Sequence, residues 1–177
     1  MSRVKTKRFA SITIAALAGG AFDYTSGALL AGAESLTVSN GPGDYNVDDP
    51  NGAIEAALNR GSLTDAVLYR VDDAAITLGF SAYVDMFTNP LAACLMDICN
   101  TPSGYVAANW TSVTALAIGC SPNLLVDVRY TLAGAAFCDS DQISICRNVK
   151  LISSYAEGLP NTVSISGASF YPNVIRI

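Results

Sequence analysis

Alternation of apolar and polar residues recurs along this chain and is cleanest near its end. Over residues 162–170, Val163, Ile165 and Gly167 fall on one side, and Thr162, Ser164 and Ser166 on the other. A period of two marks a strand with one buried and one wet face. Residues 143–155 form a second strand-like stretch, and the Ala-Glu-Gly-Leu-Pro-Asn run between the two supplies turn geometry through Gly158 and Pro160. Ending in a long hairpin suits a part built into something larger better than a freely diffusing catalyst.

Earlier segments follow the same rule. Residues 74–87 place Ile76, Leu78, Phe80, Ala82 and Val84 on one face, and residues 124–132 alternate Leu124, Val126, Val128 and Tyr130 against Leu125, Asp127, Arg129 and Thr131. Residues 9–18 are expected to pair with 28–39 across Gly19-Gly20 and the 23–27 turn, with Leu36-Thr-Val-Ser alternating inside the second stretch. Residues 53–59 fit a helical turn or a strand, and 105–118 a strand with loops. A helix is expected over about residues 90–99. Asn89 caps it, Pro90 takes the first helical position, and Leu91, Cys94, Leu95 and Ile98 form one face packed on the sheet. The prediction is a mainly β fold, a β-sandwich or barrel with one packed helix and long loops. It forms one domain over 1–177, with an N-terminal arm or strand at 1–18 and an extended loop at about 40–60.

Composition changes the picture in one respect. Hydrophobic residues make up 51% of the 177 positions and charged residues only 14%, with mean hydropathy +0.36. Ordinary soluble domains carry about a quarter charged residues. So much apolar surface with so few charges implies that copies of the chain or partners cover some of it.

Charge is unevenly placed. Arg3, Lys5, Lys7 and Arg8 open the chain, and residues 9–177 hold six basic against fifteen acidic residues, a net −9. Such a body repels nucleic acid. The basic start followed by a short apolar run imitates a secretory signal, but Ser11-Ile-Thr-Ile alternates like a strand and is read as mature structure. No apolar run is long enough to span a bilayer as a helix.

Candidate chemistry is sparse. The chain has no histidine, which removes Ser-His-Asp and Cys-His nucleophile pairs and most catalytic metal sites. Cys94, Cys99, Cys120, Cys138 and Cys146 follow no disulfide or zinc spacing. They read as small buried hydrophobes, with a single bridge left open. Asp48-Asp49 and Asp139/Asp141 are the densest acidic pairs and read as turn residues. Gly41-Pro-Gly43 lacks the third glycine and the following helix of a dinucleotide loop. Asn109-Trp-Thr111 is a chance glycosylation match. No enzyme activity, cofactor or metal is expected.

Three segments, in order, resemble the major tail tube proteins of long-tailed bacteriophages. They are Gly43-Asp-Tyr-Asn-Val running to Leu58-Asn-Arg-Gly61-Ser-Leu, then Asp72-Asp-Ala-Ala-Ile-Thr-Leu-Gly-Phe-Ser-Ala, and the closing Tyr155-Ala-Glu-Gly158-Leu-Pro-Asn-Thr-Val-Ser-Ile-Ser-Gly167. Leu159 stands where that family more often has Asp, and the five cysteines and apolar N-terminal stretch depart from its pattern. The resemblance implies a virion protein made in the host cytoplasm. It would associate into rings, usually hexameric, that stack into a tube and contact other tail proteins. Genome DNA would pass through without specific binding, and no membrane would be involved. On that reading the loop residues Gly41, Pro42, Gly43, Asp44, Tyr45, Asp48 and Asp49 are expected at inter-subunit contacts, and Asp85 and Asp127 on the lumen wall. The competing readings are a capsid decoration or other virion β-domain, and a secreted binding module carrying a disulfide.

Overall fold

The computed structural model describes residues 10–17, 20–38, 45–49, 54–58, 66–70, 75–84, 95–100, 116–118, 121–123, 125–134, 139–169, 171 and 174–177. Its strands are β1 (Ala10–Ala16), β2 (Glu34–Val38), β3 (Asn46–Asp48), β4 (Ile54–Leu58), β5 (Ala66–Arg70), β6 (Ile76–Tyr83), β7 (Leu116–Ile118), β8 (Ser121–Asn123), β9 (Val126–Leu132), β10 (Gln142–Ala156), β11 (Thr162–Ser169) and β12 (Ile175–Arg176). A short helix, α1 (Leu95–Asn100), lies between β6 and β7. The fold is mainly β. Eight strands form one antiparallel sheet in the order β2-β1-β9-β10-β11-β6-β3, with β12 beside β10, while β4–β5 and β7–β8 are separate pairs.

The fifteen-residue strand β10 organises this sheet. Its first half pairs with β9, from Gln142 opposite Leu132 to Val149 opposite Val126, and its second half pairs with β11, from Lys150 opposite Ala168 to Ala156 opposite Thr162. Register slips between Cys146 and Val149, and Asn148 there takes a left-handed backbone with φ 48°. Asn tolerates that conformation better than most residues. The bulge reverses the parity of the strand. Cys146 faces the main core before it, and Val149 and Leu151 face that core after it. Bulges bend a strand and re-aim its side chains, so the sheet has two arms joined through β10.

Both arms feed one hydrophobic cluster. The first arm gives Ile12, Ile14, Val126 and Val128, and the second gives Leu78, Phe80, Val163 and Ile165. At Gly167 this packing leaves no room for a side chain. A Cβ there would come within 2.6 Å of Val149 Cγ1 and 3.0 Å of Leu151 Cδ2.

The alternation of β6 and β11 is as expected, with Ile76, Leu78, Phe80, Ala82, Val163 and Ile165 all buried. β1 pairs with β2, Ile14 opposite Leu36. Residues 54–58, open between helical turn and strand in the sequence, form β4. Two expectations need correction. The packed helix over 90–99 is not seen. Residues 85–94 lie outside the described residues, and α1 is six residues long. Its buried side chains are Met96, Ile98 and Cys99, while Leu95 is only partly buried. The 40–60 segment is not simply a loop either, because β3 within it hydrogen-bonds to β6 with Val47 opposite Leu78.

Candidate functional site

The outer face of the first arm is covered by residues 20–33, a strap between β1 and β2. The strap folds on itself through Asp23 N to Ala28 O at 2.8 Å and Gly27 N to Asp23 O at 2.7 Å, with a bridge between Phe22 and Leu29. Asp23 organises the turn by accepting from Thr25 N at 2.9 Å and Ser26 Oγ at 2.6 Å. These bonds hold its carboxyl below the usual range. Gly27 has φ +74°, and a Cβ there would meet Ile143 Cδ1 at 2.6 Å, so only glycine fits. Beneath the strap, Ala21 and Phe22 pack with Ala15 and Ile145 in a second small apolar cluster.

Asp127 is the polar centre of this interface. It is 3% exposed and accepts three hydrogen bonds: from Ala21 N at 2.9 Å, from the Tyr24 hydroxyl at 2.8 Å and from Asn148 N at 3.0 Å. A single carboxylate thus holds the strap to the sheet and also holds the β10 bulge in its left-handed turn. Two arginines complete the layer. Arg129 lies 4.8 Å over the Phe22 ring and donates to Gly27 O at 2.6 Å. Arg147 sits between the Tyr24 and Tyr171 rings, 4.1 and 4.0 Å from their centroids. Guanidinium groups stack on aromatic faces in this way because they are planar and weakly hydrated. Ser169 Oγ, almost fully buried, donates to Arg147 O and accepts from Tyr171 N.

Burial and then the Asp127 acceptor push the Tyr24 phenol up to about 12, so it remains a donor across the ordinary pH range. On the other face of the sheet, Tyr45 stacks on Tyr130 with centroids 4.4 Å apart, and its hydroxyl lies 3.8 Å from Cys146 Sγ. Burial raises the Tyr45 phenol further still, and burial also raises the Cys146 thiol. A phenol whose pKa is raised on folding stabilises the fold fully below its unfolded value near 10 and loses that contribution as pH rises through the folded value. Stability should therefore fall from about pH 10 upward. Absorbance titration near 295 nm should show Tyr24 and Tyr45 ionising only with unfolding, and Tyr24→Phe should flatten the lower part of that loss. Early, reversible ionisation of every tyrosine in the folded protein would contradict this.

These positions differ from the expected site. Asp127 cannot line a lumen, because the strap covers it and its oxygens are taken up inside the subunit. Asp85 lies outside the described residues, as do Gly41, Pro42, Gly43 and Asp44. Tyr45 packs in its own subunit, and Asp49 pairs with Arg176 at 3.3 Å. Asp48 is exposed on β3 at the margin of the sheet. Cys99 and Cys146 are buried and stand outside any disulfide, and the other three cysteines lie outside the described residues. Among the described residues, no cluster of His, Cys, Asp or Glu could hold a metal ion, and no helix is long and apolar enough to cross a membrane. The arrangement around Asp127 can clamp the strap, but it presents no nucleophile or base to a substrate. No protein-family model, curated protein or solved structure matches the chain.

Proposed function

We propose that the chain is a structural virion protein whose copies close into rings, hexameric by the tail tube resemblance, that stack as a phage tail tube for genome DNA. The observation that carries this reading is a large antiparallel sheet whose margins have no further strand partner among the described residues. Among the described strands, β2 pairs only with β1, and beyond its pairing with β3 the Phe80–Tyr83 stretch of β6 has a partner on one side only. Open edges are a liability in a monomer and are removed when neighbouring copies pair along them. The apolar, charge-poor composition supports the same conclusion, and the two-armed sheet is compatible with the β-sandwich of that family. With Asp127 enclosed, the lumen wall in this reading draws its negative charge from other acidic residues of the net-acidic body.

Electron microscopy of the purified chain over a concentration series tests the proposal. Rings or tubes of uniform diameter are the expected result. Particles that stay monomeric, or trimers that bind empty capsids, would overturn it and favour a decoration protein.

A further inference from the structure

The C-terminal segment lies beside the strap. β12 flanks the first half of β10 on the side away from β9, with Ile175 opposite Ile145 and Arg176 opposite Ser144. Ile143 and Ile177 exchange both backbone hydrogen bonds at 2.9 Å. Alternation sends Val174 inward to the main core and Ile175 outward, against the apolar cluster that the strap shares with Ala15 and Ile145. Gly27 of the strap approaches the same place: a Cβ on it would lie 2.6 Å from Ile143 Cδ1 and 3.6 Å from Ile177 Cδ1.

Arg147 makes a second connection. Its guanidinium sits between the Tyr24 ring of the strap and the Tyr171 ring that opens the C-terminal segment, and it donates to the Tyr171 hydroxyl at 3.3 Å. Its backbone oxygen is held by Ser169 at the end of β11. One planar cation is thus covered by one ring from each segment, and losing either ring returns a face of it to water.

From these contacts we infer that the strap and the C-terminal residues 175–177 form a single latch, seating together and opening together. Each segment loses cover when the other leaves. A lifted strap strips Ile175 and Ile177 of apolar neighbours and takes one ring from Arg147. A lifted β12 wets the strap's cluster at Ile143 and Ile145. Val174, anchored in the main core, limits the opening to the residues after it. What the open latch bares is the Ile143 N–H and C=O beside apolar Ile145, a strand edge next to an apolar face. Closed, the latch guards that edge against mispairing, as covered edges do in other sheets. The device belongs to one chain, so it holds or fails whether or not copies close into rings.

Native-state hydrogen exchange of the full chain tests it. The Ala21 amide, bonded to Asp127, reports the strap, and the Ile143 amide, bonded to Ile177 O, reports the C-terminal segment. Amides released by one opening share its equilibrium constant, so their protection factors should agree within about twofold and lie at least about tenfold below that of Ile165 in β11. This comparison needs no variant. Asp23→Ala then loosens the strap from within its own turn, and Tyr171→Leu removes the C-terminal ring from Arg147. Coupling is reciprocal, so each substitution should speed both amides by one common factor, about three- to tenfold for the loss of one such interaction. Arg147→Lys, which keeps the charge but not the planar stack, should also speed the two together. Unequal protection of Ala21 and Ile143 in the wild type would overturn the latch. So would protection of both equal to that of Ile165, or a substitution that speeds one amide and leaves the other unchanged.

Discussion

Asp127→Ala should cost about 2–5 kcal/mol of unfolding free energy, the scale for orphaning several hydrogen-bond donors at roughly 1–3 kcal/mol each when they are held away from water. The loss is large against a typical total of about 5–15 kcal/mol. Three donors, Ala21 N, the Tyr24 hydroxyl and Asn148 N, lose their acceptor at once, and each orphaned buried donor carries a desolvation penalty. Asp127→Asn keeps the size but turns one acceptor oxygen into a donor that faces another donor. It should fall between wild type and alanine. Denaturant melts give the magnitudes. Hydrogen exchange gives the location, because the Ala21 and Asn148 amides should lose protection well before those of β11. A loss under about 1 kcal/mol, the scale of an ordinary surface change, would show that the carboxylate does not hold the strap.

Phe22→Ala should have a comparable effect by a different route. Phe22 is fully buried between Ala15, Ala21 and Ile145, with Arg129 over its ring. Truncating a buried phenylalanine costs about 3–5 kcal/mol through lost transfer energy and the cavity left behind. The two variants should not add. Asp127 and Phe22 hold the same strap, and once either is gone the strap's other contacts are already weakened. The double variant should lose less than the sum of the singles by about 0.5–3 kcal/mol, the usual coupling between residues in contact. Full additivity would mean that the polar and apolar anchors act on separate elements.

Much of the sheet was legible because each strand's alternation reports a local environment. Val163 and Ile165 against Ser164 and Ser166 need no knowledge of partners to be read as inside and outside, and β6 is as plain. Asp127 escapes the same local reading. On the polar side of an alternating strand a carboxylate looks wet. What buries it is a strap more than a hundred positions earlier in the chain, and no local period reports that. One faint signal was present. Ala21-Phe-Asp-Tyr sets two aromatic residues between glycine-rich turns, a dense apolar cluster for an exposed connection. The β10 bulge was also partly visible, since Cys146 and Val149 stand three apart in a stretch where a period of two would separate inward residues by an even number. The sequence points to a longer helix because Asn89-Pro90 is a strong start signal and the apolar spacing from Leu91 to Ile98 suits one. In the structure the buried face is carried by Met96, Ile98 and Cys99.

The long shared strand also sets the order in which this protein can be built. β1, β2 and β3 come from the first fifty residues, yet β1 completes its pairing only with β9, and among the described strands the two arms are hydrogen-bonded together through β10. A growing chain therefore carries the β1–β2 hairpin, apolar on its inner face, for most of its synthesis before the strand that covers its flank exists. Pairings this distant in sequence pay their loop-closure entropy before any contact rewards it, which places folding toward the slow end of small-domain rates. During that interval the hairpin is open to the wrong neighbour, and in a polysome making many copies the nearest open edge belongs to another nascent chain. Chaperone occupancy on the ribosome should consequently persist until residues 142–156 have left the exit tunnel and fall sharply thereafter.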